Sequence, residues 1–357
     1  MALTAFLQPK QTKTAPSIRL ASDRTSNPTT GCAERKAAMF EHILIPLDGS
    51  GLAECVLPHG LSIARALDAR ATILQVVEPA KGAGRSKVID PLEWRYRQAE
   101  AKTYLEEVSV RLHAAGLPVE QVLLEGDPAE RVIDHSQASR AGLIVLSSHG
   151  QSGLSGWNVS SVVQKILARA RVSILLIPAY HPASVELSGL RYKRILVPLD
   201  GSQRAECVIP VVTALAGKHG SQAVFVHVVR KPELPRRAPP SQEEQALADS
   251  LTDHNRREAG RYLQELRTRL SLAGAEVRLE ASDNVSETLQ QLALDDDIDL
   301  VVLSAHGYSG GTRWSYGSVA SSFILYGARP LLIIQDLPAH SIAPSTAELA
   351  AREFGHH

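Results

Sequence analysis

HILIPLDGS at residues 42–50 returns as RILVPLDGS at 194–202, and AECVLP at 53–58 returns as AECVIP at 205–210, so both segments recur 152 residues on (194 less 42, 205 less 53). SSHGQSG at 147–153 answers SAHGYSG at 304–310, now 157 residues on (304 less 147), so the second copy is longer between these landmarks. A period this long exceeds any solenoid unit, and each copy is expected to be a complete folding unit. Within each, short β-branched apolar runs alternate with longer stretches of helical period, the pattern of a parallel sheet flanked by helices. Strands are expected near 42–47, 71–77, 119–124, 142–147 and 173–178, and again near 193–198, 222–229, 275–280, 298–304 and 330–335. Their near-continuous apolar character suits strands covered on both faces.

The expectation is therefore two tandem doubly wound α/β domains, each a five-stranded parallel sheet of flavodoxin-like type in the order 3-2-1-4-5, at 40–179 and 192–336. Between them, 180–191 reads as a linker. Residues 1–39, rich in Ser, Thr, Pro and basic groups without period, read as a disordered tail, with a transit peptide or an over-long start before Met39 as the other readings. Residues 337–357 read as a loose C-terminal tail, and 79–92 and 230–241 as long surface loops. Asp127 and Pro128 precede the helical run ERVIDHSQA, one placed to cap it and the other to start it.

The 357 residues are 44% hydrophobic, with 38 basic and 38 acidic side chains, a balance that excludes a general nucleic-acid or membrane-surface binder. Apolar runs such as VSILLIP are too short to span a bilayer. Cys32, Cys55 and Cys207 are odd in number and lack C-x-x-C spacing, which argues against disulfides or structural zinc and suits a reducing cytoplasm. Cys55 and Cys207, at equivalent positions, read as small buried residues. Trp157 and Trp314, also equivalent, read as loop anchors.

A doubly wound sheet places its ligand beyond the carboxyl ends of the strands, where three segments of each copy converge. These are the turn after strand one (Asp48-Gly49-Ser50; Asp200-Gly201-Ser202), the end of strand two (Val76; Val228), and the loop after strand four (147–161; 304–318). The helices VVQKILARA and VASSFILYG follow that loop directly. The backbone N–H groups of Ser161-Val162 and Ser318-Val319 then stand at a positive dipole end, and the glycines before them allow close approach, a natural cradle for phosphate. His149 and His306 recur beside it and read as loop-ordering groups.

Here the chain resembles tandem members of the universal stress protein family, whose nucleotide-binding members carry G-x-x-G, nine residues, then G-[S/T]. The second copy departs at the first glycine, which is Ser304, and keeps Gly307, the nine-residue spacing, and Gly317-Ser318. The first copy has Ser147 and Ser160 at the first and third glycines and keeps Gly150 and Ser161. The resemblance implies the family's adenine nucleotide α-hydrolase-like fold and an ATP site in which Asp48 and Asp200 meet the ribose, Pro46 and Pro198 frame the base, and the Val76 and Val228 backbones pair with adenine. Phosphate falls to Ser147, Gly150, Ser160, Ser161 and Val162 in copy one, and to Ser304, Gly307, Gly317, Ser318 and Val319 in copy two. A serine at 160 would carry backbone strain if that position required positive φ. Any magnesium would arrive with the nucleotide. The resemblance further implies pairing of the two copies through their last strands, VSILLIP and PLLIIQ, with a homodimer left open, in a stress-responsive binding module that hydrolyses ATP slowly or not at all.

Two other readings stand beside this one. A protein of the same fold that has lost its ligand would account for the serine substitutions. A serine hydrolase would use Ser309 in Gly307-Tyr308-Ser309-Gly310-Gly311, which fits Gly-x-Ser-x-Gly. In that case the helix should begin directly after the serine, whereas the sequence continues as loop to about Gly317, and the partners in chain order would be Asp336 and His340. Neither a Walker A sequence nor G-x-G-x-x-G follows either first strand, so a P-loop ATPase and a classical dinucleotide enzyme are unsupported.

Overall fold

A computed structural model describes residues 40–79, 91–151, 153, 159–179, 187, 189–231, 241–270, 272, 274–308 and 315–336. The sequence expectations for 1–39 and 337–357, and those for Trp157, Ser309 and Trp314, lie outside the described residues. The first copy runs β1 (His42–Leu47), α1 (Val56–Leu67), β2 (Arg70–Val77), α2 (Pro91–Ala114), β3 (Val119–Glu125), α3 (Pro128–Ala138), β4 (Leu143–Ser147), α4 (Ser161–Arg169) and β5 (Ser173–Ile177). The second repeats it as β6 (Arg194–Pro198), α5 (Ile209–His219), β7 (Gln222–Arg230), α6 (Gln242–Leu270), β8 (Glu276–Ser282), α7 (Val285–Asp295), β9 (Leu300–Ser304), α8 (Ser318–Tyr326) and β10 (Leu331–Ile334).

Each copy is a parallel sheet in the order third, second, first, fourth, fifth, and the two join into one ten-stranded sheet, β3-β2-β1-β4-β5-β10-β9-β6-β7-β8. The join is antiparallel, with Leu331 opposite Leu176, Leu332 opposite Leu175 and Ile333 opposite Ile174. β5 and β10 therefore present no open edge, which for two such apolar strands would be a template for aggregation. Alternation along β1 sends Ile43 and Ile45 to one face and Leu44 to the other, all fully buried, so helices must cover both sides. Both cores are continuous across the two copies.

The local reasons for the helices lie in their ends. Asp127 accepts hydrogen bonds from the backbone of Ala129 and Glu130, with Pro128 in the first turn of α3. Asn284 accepts from Glu287 N at the start of α7. α1 and α5 both close through a left-handed residue, Asp68 at φ 56° and Gly220 at φ 72°.

One sequence boundary is corrected. α2 begins at Pro91, inside the stretch read as loop, because proline is well tolerated in a first helical turn. The end of the linker is part of the body. The Leu190 carbonyl accepts from Ser62 Oγ on α1 at 3.1 Å, and Tyr192 is fully buried with its hydroxyl 2.7 Å from His59 Nδ1. Cys55 and Cys207 are half-buried rather than fully enclosed. No helix among the described residues is long and apolar enough to cross a membrane.

Candidate functional site

At the carboxyl ends of the strands, Asp-Gly-Ser turns the chain out of β1 and β6 in the same way. Gly49 and Gly201 take φ 82° and 81°, a left-handed conformation that favours glycine. Asp48 Oδ1 accepts from Ser50 N at 3.0 Å and from Ser50 Oγ at 2.6 Å, while Ser50 Oγ takes the Ala53 N–H at 3.1 Å. Asp200, Ser202 and Ala205 repeat the pattern at 3.0, 2.6 and 3.1 Å. One carboxylate oxygen is thus a turn-builder. The other leaves the turn: Asp48 Oδ2 accepts from Gln151 N, and Asp200 Oδ2 from Tyr308 N, both at 2.5 Å. The approach is so close that a Cβ on Gly150 would overlap the Asp48 carboxylate, and one on Gly307 the Asp200 carboxylate.

Ser147 and Ser304, where the family pattern has its first glycine, brace the loop with their side chains. The Ser147 hydroxyl lies 2.6 Å from the His149 carbonyl and 3.0 Å from that of Leu52. Ser304 Oγ donates to the His306 carbonyl at 2.6 Å. The returning arm is tied to the strand end by Ser160 N to the Ser148 carbonyl at 2.8 Å, and by Gly317 N to the Ala305 carbonyl at 2.7 Å. Val162 and Val319 are partly buried and pack against the core.

The caps of α4 and α8 separate the copies. Ser160 Oγ accepts from Val163 N at 3.4 Å, closing part of the α4 terminus on itself. Gly317 has no side-chain cap to offer, and the α8 terminus stays open. The conditional expectation of strain at Ser160 is overturned: φ is −68° there and −71° at Gly317, an ordinary extended conformation for any residue.

The third wall is the end of the second strand. Pro198 pairs with Val226 at the last rung of β6 and β7, and Pro46 with Leu74 one rung before the last of β1 and β2. Leu199 N donates to the Val226 carbonyl at 2.8 Å. Backbone groups two residues apart in a strand point the same way, so Val228 N–H and C=O face past the end of β6, and Val76 occupies the same place beyond β1. Asp200 thereby meets the Gly307-Tyr308 backbone, and Gly317, at the start of α8, meets the Ala305 carbonyl, with Pro198 and Val228 near the carboxyl ends of β6 and β7; Asp48 meets the Gly150-Gln151 backbone in the same way in copy one.

Several groups here carry no motif signal. Gln75 and His227 occupy equivalent sites on β2 and β7, and neither Gln75 Oε1 nor His227 Nδ1 has a hydrogen-bond partner among the described residues. Burial pulls the His227 imidazole below its ordinary pKa, partly offset by the Asp200 charge. Asp336, which the hydrolase reading would pair with His340, instead takes His306 Nδ1 at 2.8 Å and Arg204 Nε at 2.6 Å. With 1% of its side chain exposed, His306 is enclosed rather than presented to a substrate. Burial pushes the Cys55 thiol up, and that of Cys207 up to about 12, so neither is a thiolate nucleophile.

The sequence model of the universal stress protein family matches residues 39–178 and 191–335. The chain belongs to that family. A universal stress protein of Methanocaldococcus jannaschii is 26% identical over 146 residues, 39% of this chain and 82% of that protein. A universal stress protein of Mycobacterium tuberculosis is 24% identical over 304 residues, 82% of this chain and 96% of its own length, so it shares the tandem arrangement. Among solved structures, a universal stress protein from Archaeoglobus fulgidus superposes with a TM-score of 0.59 at 18% identity, covering 83% of this chain and 99% of that one. One from Pseudomonas aeruginosa gives 0.60 at 15% identity, covering 86% and 96%. These likenesses fix the fold of a tandem universal stress protein.

Proposed function

We propose that this universal stress protein binds ATP at the strand-end crevices, with copy two as the principal site, and that occupancy serves as a regulatory signal. The observation that carries the reading is the joint arrangement in copy two. A backbone donor and acceptor point outward at Val228, and a carboxylate stands at Asp200. Beside them is an uncapped helix terminus at Gly317-Ser318-Val319. Adenine needs a donor and acceptor pair for its edge, ribose an acceptor for its hydroxyl, and phosphate unpaired N–H groups. Asp200 Oδ1 already accepts two hydrogen bonds and Oδ2 one, which leaves Oδ2 room for a ribose hydroxyl, since a carboxylate accepts about four.

Magnesium would arrive with the nucleotide and be held through its phosphates. The ligand-free reading has one observation in its favour, confined to copy one: Ser160 already occupies part of the cradle. Calorimetric titration with Mg-ATP and with Mg-GTP separates the cases. The proposal expects ATP to bind and GTP to bind more weakly, because guanine offers the reversed donor and acceptor pattern at its edge. Equal binding of both would remove the Val228 assignment, and no heat with either would favour the ligand-free module.

A further inference from the structure

Behind the loop after β9, copy two holds a buried ionic cluster that copy one lacks. Asp336, its side chain fully buried, accepts at Oδ1 from His306 N at 3.1 Å and from the His306 ring at 2.8 Å, and at Oδ2 from Arg204 Nε at 2.6 Å. Burial pushes the carboxyl up, but the hydrogen bonds and charges of His306 and Arg204 outweigh it and hold the group below its ordinary range, so it is ionised. Arg204 and Asp336 align with Leu52 and Ala179 of copy one, and Ala305, before His306, aligns with Ser148. There the Ser148 hydroxyl meets His149 Nδ1 at 3.1 Å and takes the Ala179 N–H at 2.9 Å. The histidine before the motif glycine meets an ionised carboxylate, itself held by Arg204, in one copy and a neutral hydroxyl in the other.

His306 is the hinge between the two arms of the loop. Gly307 and Tyr308 follow it directly and lie on Asp200, while the returning arm bonds to Ala305, its other neighbour. We infer that Arg204, Asp336 and His306 are positioning residues which hold the copy-two loop in its ligand-ready shape, and that the two sites of one chain therefore differ in affinity. This rests on the ATP reading above. Charge-assisted hydrogen bonds are the stronger kind, and a loop held in place before binding loses less freedom on meeting its ligand. Asp336 cannot be removed alone without cost, because the half-buried Arg204 then loses its carboxylate acceptor at Nε.

The test exploits the chain's own alternative. In an Asp48→Ala background, which isolates copy two, Mg-ATP affinity is measured by calorimetry for the otherwise unchanged chain, for Asp336→Ala, and for Arg204→Leu/Ala305→Ser/Asp336→Ala, which installs the copy-one set. Asp336→Ala should weaken binding about tenfold or more. The triple exchange should recover a good part of that loss while remaining weaker than the unchanged site. A folded Asp336→Ala that binds unchanged, or a folded triple exchange no better than it, overturns the inference. Amide hydrogen exchange on the full chain without nucleotide reads the clamp directly: Asp336→Ala should speed exchange at 305–308 and leave 148–151 alone, and unchanged rates at 305–308 refute it. If the unchanged chain binds no nucleotide, the ATP reading fails while the exchange result still decides the clamp.

Discussion

Gly307 and Gly317 belong to the same motif, yet different physics requires them. A Cβ on Gly307 would overlap the Asp200 carboxylate, whereas one on Gly317 would meet the Ala305 carbonyl at 3.5 Å, an ordinary contact on an ordinary backbone. Gly307→Ala should therefore break the Tyr308 to Asp200 bond and lower stability by about 1–3 kcal/mol, and Gly317→Ala should cost less than about 0.5 kcal/mol, both read by urea unfolding. Equal effects would refute the distinction. Asp200→Ala should weaken ATP by about 1–3 kcal/mol, since it removes a charged acceptor from the ribose and lets the loop move. The sequence marks all of these residues. It does not show that Asp200 touches the residue after Gly307, because 108 positions separate 200 from 308 and only the sheet order brings them together.

At the scale of elements, the alternation of apolar runs located the strands to within a residue or two, because burial on both faces leaves little freedom in composition. Capping was equally legible at Asp127-Pro128, where the chemistry is local. The first turn of α2 was not: Pro91 signals a loop unless the chain after it is known to be helical. The paired starts of α4 and α8 yield an exchange experiment. Gly317→Ser should give α8 the cap that α4 has, raising stability by a few tenths of a kcal/mol while weakening nucleotide at copy two, because the new hydroxyl competes for the N–H groups that phosphate needs. Ser160→Gly should do the reverse at copy one. Thermal unfolding and calorimetry on the two variants check both signs, and a Gly317→Ser chain that binds ATP more tightly would contradict the cradle.

The whole molecule is one sheet made from two copies, and its junction carries a pH prediction that no local sequence signal announces. His59 on α1, Tyr192 just after the linker and His219 on α5 lie as tilted rings with centroids 5.8 and 5.5 Å apart along the series. Burial lowers His59 from 6.5 to about 4 and also lowers His219, so both stay neutral in the fold at neutral pH. Between those values the unfolded chain binds the proton that the folded His59 refuses. Its contribution is therefore complete above pH 6.5 and is lost as pH falls toward 4, on the order of 3 kcal/mol. Chemical denaturation from pH 7 to 4 should show that decline, and His59→Gln should flatten it; an unchanged slope would mean that His59 is solvated. The duplication was legible from the repeated HILIPLDGS and RILVPLDGS, but the junction was not, because Ser62 and His219 meet across 157 positions (219 less 62). The proposal that this duplicated sheet holds ATP chiefly in copy two is decided by equilibrium dialysis of labelled Mg-ATP against the full chain, Asp48→Ala and Asp200→Ala. Tighter-phase binding should survive Asp48→Ala and disappear with Asp200→Ala; binding that follows Asp48 instead, or none at about 1 mM nucleotide, would contradict it.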